Sequence, residues 1–151
     1  MVFVRSDPSR MMSTKTLEDT PYTELCMTDA SGATRLLLAG RASDKAEAML
    51  VGMCELVLSH DEKTVYFVTS AWTTSSAAHA VSLRTGRERF IIDGGVESEI
   101  TSGADRGNLW VTQTRLDERY GFDSPKYRGR IVTRAVVTQG GRVIRRIDPS
   151  P

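Results

Sequence analysis

The groups in this chain with reactive chemistry are few: two histidines, His60 and His79, two cysteines, Cys26 and Cys54, and scattered serines. Imidazole next to thiolate or carboxylate can hold a metal, but strong metal signatures use C-x₂-C or H-x₃-H spacing. Neither spacing occurs. His60 reads as a turn residue and His79 as a packed strand residue, while Cys26 and Cys54 read as small buried apolar side chains on strands. Ser75, Ser76 and Ser98 sit outside any G-x-S-x-G elbow, so no activated serine is indicated. Gly94-Gly95 and Gly140-Gly141 are turn pairs without the G-x-G-x-x-G or G-K-[ST] context of a phosphate cradle. The neighbouring carboxylates Asp61 and Glu62, Asp117 and Glu118, and Glu97 and Glu99 fall in turns or on a strand face, where exposed charge needs no catalytic explanation. The expectation is a protein that is not an enzyme and takes no cofactor and no metal.

Binding chemistry is better represented. Trp72 lies between two strands, and Arg119, Tyr120 and Phe122 sit in an aperiodic insertion over residues 115–126. Connections on a rigid scaffold are where binding residues concentrate, and Trp, Tyr and Arg dominate interface energetics. Charge is also unevenly placed. Residues 101–151 hold ten Arg/Lys against five Asp/Glu, whereas residues 1–100 hold ten against fourteen. Arg128, Arg130, Arg134, Arg142, Arg145 and Arg146 gather on one predicted hairpin. That hairpin suits an acidic protein surface; a phosphate backbone is the lesser alternative, because the interleaved aromatics of single-strand binders are missing. Solvent-washed arginines on an outer strand, and a Trp72 folded back over the sheet edge, are the plainer readings. The candidate partner-binding residues are Trp72, Arg119, Tyr120, Phe122, Arg128 and Arg130.

Strands must position these groups, because the apolar residues recur on a two-residue beat. Residues 55–58 and 64–69 form a hairpin about a polar turn at residues 60–63, and residues 78–83 and 87–92 form another about Gly86. Residues 23–28 and 34–38 repeat the second hairpin upstream, and residues 108–113, 130–137 and 142–147 repeat the pattern downstream. Aligned on Gly32, Gly86 and Gly141, the copies are 54 and 55 residues apart, the size of a four-stranded repeat. Residues 2–5 supply the second strand of an incomplete first unit, with residues 6–21 as a polar loop. Residues 43–51 carry helix formers behind Ser43.

Bulk properties agree with one globular domain. The 151 residues carry 20 Lys+Arg against 19 Asp+Glu with 40% hydrophobic content, which excludes disordered and collagen-like chains. Whole-molecule steering to nucleic acid is not expected at net charge +1. The first residues lack a secretory apolar run, no stretch reaches membrane-spanning length, and two cysteines make no disulfide framework. A cytoplasmic protein without membrane association is the expectation.

The segment LVLSHDEKTVYFVT (residues 56–69) followed by HAVSLRTGRER (residues 79–89) resembles the TolB-type or YVTN-type β-propeller repeat, a WD40-like blade that runs LSPDGKTVYFVS … AIHAVDLATGKER. The resemblance covers residues 56–93 and departs from the repeat at residues 60–62, where His-Asp-Glu replaces Pro-Asp-Gly. Residues 30–37 and 107–111 match in outline. The resemblance implies an all-β chain of about three four-stranded antiparallel propeller-like blades, at about residues 1–40, 53–93 and 97–148, the first incomplete. It also implies protein or peptide binding, or service as an accessory domain of a peptidase.

Rings usually need at least four blades, and three leave two end faces, expected to be apolar. Joining two copies into a six-bladed homodimeric assembly is the favoured solution, and a portion of a longer chain is the alternative. For function, the expectation is a non-catalytic protein-interaction module, such as a cognate inhibitor or immunity protein that blocks a toxin or effector with an acidic surface. The alternative is an accessory propeller portion of a larger hydrolase or peptidase whose catalytic domain lies elsewhere.

Overall fold

The computed structural model describes residues 1–14, 17–72, 75–116 and 129–147, with the backbone alone at residues 17, 18, 72, 75, 115 and 116. Three antiparallel sheets follow one another along the chain. The first contains β1 (Val2–Thr14), β2 (Leu17–Thr28) and β3 (Thr34–Ala39). The second contains β4 (Cys54–Leu58), β5 (Thr64–Trp72), β6 (Ser75–Ser82) and β7 (Glu88–Asp93). In the third are β8 (Gly95–Glu99), β9 (Leu109–Leu116), β10 (Arg130–Val137) and β11 (Val143–Ile147). Within each sheet the strands lie in sequence order, which is the meander of a propeller blade.

The middle blade is buried on both faces, as the two-residue alternation requires. Val65, Phe67 and Val81 pack with Leu25 and Leu37 of the first blade. On the other face Tyr66, Ala78, Ala80 and Ile91 pack with Val96, Leu109, Val111 and Ala135 of the third.

Contacts between blades recur with the repeat. Pairing of β2 with β3 slips between Leu25 and Cys26, leaving Leu37 bulged, and pairing of β6 with β7 slips at Ala78 and His79, leaving Ile91 bulged. Each bulge offers its carbonyl to the turn of the next blade. A Cβ on Gly86 would lie 3.3 Å from Leu37 O, and one on Gly141 only 2.1 Å from Ile91 O. Beside each bulge an arginine reaches the same turn: Arg35 donates to Leu83 O and Arg89 to Gln139 O.

Three expectations change. Residues 6–21 are not a loop: β1 and β2 continue as a long ribbon, with Met11 opposite Pro21 and Met12 opposite Thr20. Polar residues on both sides of a solvated ribbon hide its strands from a hydrophobic pattern, and Pro8, which has no N–H, sits where the register slips. Residues 43–51 form only one 3-10 turn, Ala46–Ala48. Their buried residues, Ala46 and then Met49, Leu50 and Val51 in succession, do not follow a helical stripe, and Arg41 pairs with Leu50 as a β-bridge. Cys54 is exposed, unlike Cys26.

The end faces also differ from expectation, since each carries a charged network across neighbouring strands. On the first blade Arg5 pairs with Glu24, Tyr22 Oη donates to Glu24 at 3.2 Å, and Arg10 lies 3.8 Å over the Tyr22 ring. On the third, Arg134 pairs with Glu97, Thr112 donates to Glu97, and Arg134 lies 4.7 Å over Trp110. Burial pulls the Glu97 carboxyl upward, but its hydrogen bonds from Thr112 and Arg134 outweigh that and hold it below the ordinary range.

Candidate functional site

The meander sends the C-terminal ends of β1, β3, β5, β7, β9 and β11 to one end of the blades and the turns at residues 29–33, 59–63, 83–87 and 138–142 to the other. At the end that holds these turns aspartates are spent on structure. Asp29 accepts from Ser31 Oγ, Ser31 N and Ala33 N, and Asp61 from Ser59 Oγ and Lys63 N, which lowers both carboxyls. At the opposite end, the passage from β7 to β8 forms a cleft of about 400 Å³ between the second and third blades.

Glu55, Ser76, Asp93, Gly94, Gly95, Thr112, Gln113, Thr114 and Arg146 line this cleft. The chain turns there on Gly94, whose φ is +120°; a Cβ would come within 2.3 Å of Thr112 O. Gly94 N donates to Ser76 O at 2.8 Å, extending the pairing of β6 with β7, and Gln113 Nε2 donates to Asp93 O at 2.8 Å, tying the third blade to the second. Gln113 is nearly buried, and its Oε1 has no protein partner. Burial first, and the negative charge of Glu47 second, push the Asp93 carboxyl up. Glu55 sits at the irregularity of β4 with φ +50°, a conformation that costs an L-residue about 1–2 kcal/mol. Strain of this kind gathers where function requires it. The lining combines the carboxylates of Glu55 and Asp93, the hydroxyls of Ser76, Thr112 and Thr114, the Gln113 amide and the Arg146 guanidinium, a mixed set of hydrogen-bond donors and acceptors.

The histidines lie elsewhere. His60 is in an exposed turn, with its backbone N–H donating to Glu99 at 3.0 Å. His79 is fully buried, stacked 5.4 Å from Phe67, with Nδ1 donating to Glu88 at 2.7 Å and Nε2 unpartnered. Its ring is a packing element between the first two blades. Partial burial, then the charge of Glu55, raises the Cys54 thiol, which keeps it protonated and poorly nucleophilic. Among the described residues no three of His, Cys, Asp and Glu gather as metal ligands. No helix in the described residues is long and apolar enough to cross a membrane.

Of the sequence candidates, Trp72 ends β5, and Arg130 is exposed at the start of β10, its backbone paired with Leu116. Arg119, Tyr120, Phe122 and Arg128 lie outside the described residues. Within the basic hairpin, Arg134 is engaged by Glu97 and Arg145 by Asp105 at 2.6 Å, so two of its arginines serve the fold. The cleft residues Glu55, Asp93 and Gln113 are not legible as a group in the sequence because they come from three strands, β4, β7 and β9, far apart along the chain; only Gly94-Gly95 marked the place.

No protein-family model matches the sequence. None of the curated proteins matches it either. Among solved structures, the β-propeller domain of the Trilobed protease from Pyrococcus furiosus matches 99% of this chain and 39% of its own, at 12% identity and TM-score 0.57. The Pyrococcus horikoshii acylaminoacyl peptidase matches 86% of this chain and 21% of its own, at 13% identity and TM-score 0.54. An acylaminoacyl peptidase solved in complex with Z-Gly-Gly-Phe-chloromethyl ketone covers 97% of this chain and 25% of its own, at 14% identity and TM-score 0.50. The chain thus spans about a fifth to two fifths of the structures it matches. At these identities the likeness shows the fold, and that fold is a β-propeller-like array of three blades.

Proposed function

We propose that this chain is a non-catalytic polypeptide-binding module that acts as the propeller portion accompanying a hydrolase, with the bond-breaking chemistry carried by a separate domain or chain. One observation carries the proposal: the match over 86–99% of this chain to peptidases of which it spans only a part. The proposal also accounts for the local chemistry, since His79 is committed to packing, the Cys54 thiol is raised, and the cleft presents hydrogen-bond donors and acceptors without an imidazole or thiol. A hydrolase companion is preferred to a toxin inhibitor because the matching structures are peptidases.

The test is capture of partners from the source organism by the tagged chain, with the captured material treated with a fluorophosphonate probe for active-site serines. The expected result is a probe-labelled hydrolase enriched by the chain and lost when Trp72 or Arg130 is changed to Ala with unchanged melting. Capture of a nuclease or other toxin with no labelled hydrolase would instead establish the inhibitor role. Hydrolysis of peptide substrates by the purified chain alone would overturn the non-catalytic reading.

A further inference from the structure

We infer that the cleft between the second and third blades receives the cationic end of a lysine or arginine side chain carried by a bound polypeptide. This role for the cleft rests on the chain being a polypeptide-binding module, and not on its partner being a hydrolase. Three side chains on the cleft wall carry acceptors that lack a donor among the described residues: Glu55 of β4, Asp93 of β7 and Gln113 of β9. Neither carboxylate is engaged in a hydrogen bond or ion pair among the described residues, although the Arg146 guanidinium lines the same cleft.

Gln113 shows what the cleft lacks. It is 8% exposed, and its Nε2 donates to Asp93 O at 2.8 Å. A main-chain carbonyl can only accept, so this bond fixes which corner of the amide is nitrogen. Oε1 is thereby held as a buried acceptor with no protein partner. Buried polar groups are nearly always paired, and an unpaired acceptor on a cleft wall calls for a donor from outside the chain.

The two carboxylates set the charge of that donor. Glu55 takes φ +50° at the irregularity of β4, and its Oε2 lies 3.4 Å from where a Cβ on Gly95 would stand, two residues beyond Asp93. With no side chain on Gly95 to fill this corner, the acids of β4 and β7 open on the same space. Glu47 adds its negative charge beside Asp93, against the single guanidinium of Arg146. No third His, Cys, Asp or Glu gathers with the pair as a metal ligand among the described residues, which favours an organic cation over a metal ion. Ammonium and guanidinium groups offer donors and positive charge together and accept nothing, which matches a wall of unmet acceptors. At about 400 Å³ the cleft has room for either side chain.

The probes are amidated peptides with a neutral fluorophore in place of the N-terminal charge, identical except for one central residue: lysine, acetyl-lysine, arginine or citrulline. They are titrated into the full chain and followed by fluorescence polarisation and by residue-resolved NMR, with butylammonium as the arm that carries no polypeptide. The cationic peptides are expected to bind roughly tenfold more tightly than their neutral counterparts, by a margin that shrinks with added salt. They should also shift the amides of Gly94 and Gly95 and the side-chain amide of Gln113. Glu55→Gln combined with Asp93→Asn should remove the margin, whereas Arg146→Gln, which withdraws the competing cation, should widen it. Equal binding of charged and neutral peptides, shifts confined to residues outside the cleft, or absence of binding by every probe would overturn the inference; the first of these needs no change to the protein. Shifts of the cleft amides by butylammonium with no binding by any peptide would instead overturn the polypeptide-binding reading beneath it, so the two failures are distinguishable.

Discussion

Glu62 and Tyr66 show how single residues carry measurable consequences in this fold. Glu62 has φ +55° in the turn between β4 and β5, where the propeller repeat has glycine. The turn survives because Ser59 and Lys63 hold Asp61 in place, so the strain at Glu62 is offset by its neighbours. Glu62→Gly is expected to stabilise the protein by about 0.5–1 kcal/mol in urea unfolding, the relief of strain partly cancelled by glycine entropy. Tyr66 is fully buried with an unpartnered hydroxyl, and burial, aided by Glu99, pushes it up to about 12. The unfolded chain releases that proton near its ordinary value of 10.0. Between these values the folded state binds more protons than the unfolded one, so stability falls as pH rises from about 10 to 12 and is unaffected by this group below that interval. Urea titrations across this range should show the loss, and Tyr66→Phe should remove it while leaving stability at pH 7 unchanged or slightly raised.

At the scale of elements, the joint between blades is the unit that repeats. A bulged carbonyl, a turn glycine and an arginine occur together where the first blade meets the second and again where the second meets the third. Gly141→Ala should cost more than 2 kcal/mol, since its Cβ would strike Ile91 O at 2.1 Å in addition to adopting φ +89°. Gly103→Ala, with φ +76° and open space around it, should cost only about 1 kcal/mol. Arg35→Ala and Arg89→Ala should each cost about 1 kcal/mol and add in the double variant, because they belong to different joints. Strong non-additivity in unfolding experiments would show instead that the three blades respond as one block.

For the whole molecule, the decisive feature is what lies on the two end faces. Closing a six-bladed ring from two copies buries the networks of Arg5 with Glu24 and of Arg134 with Glu97. Desolvating such pairs costs energy that their mutual attraction repays only in favourable geometry. Light scattering is therefore expected to give the monomer mass of 16.7 kDa, and a value near twice that would restore the ring. The turn glycines at 54- and 55-residue spacing made the repeat legible, whereas the end-face networks were not, because Arg5 and Glu24 or Glu97 and Arg134 are distant in sequence and meet only by register.

Alternation of apolar residues and the positions of Gly, Asp and Ser in turns were sufficient to establish all-β architecture, the hairpins of the middle blade and the repeat, since each is a local preference of a few consecutive residues. β8 was harder to read: Val96 is its one core residue among Glu97, Ser98 and Glu99, leaving little pattern to find. The ribbon of β1 and β2 was hidden for the same reason, being polar on both sides. Folding alone decided that Glu55, Asp93 and Gln113 share a cleft and that the blade joints are clamped by arginines. Each of these depends on which strands become neighbours and in what register, a choice made by the burial of whole faces across distant parts of the chain.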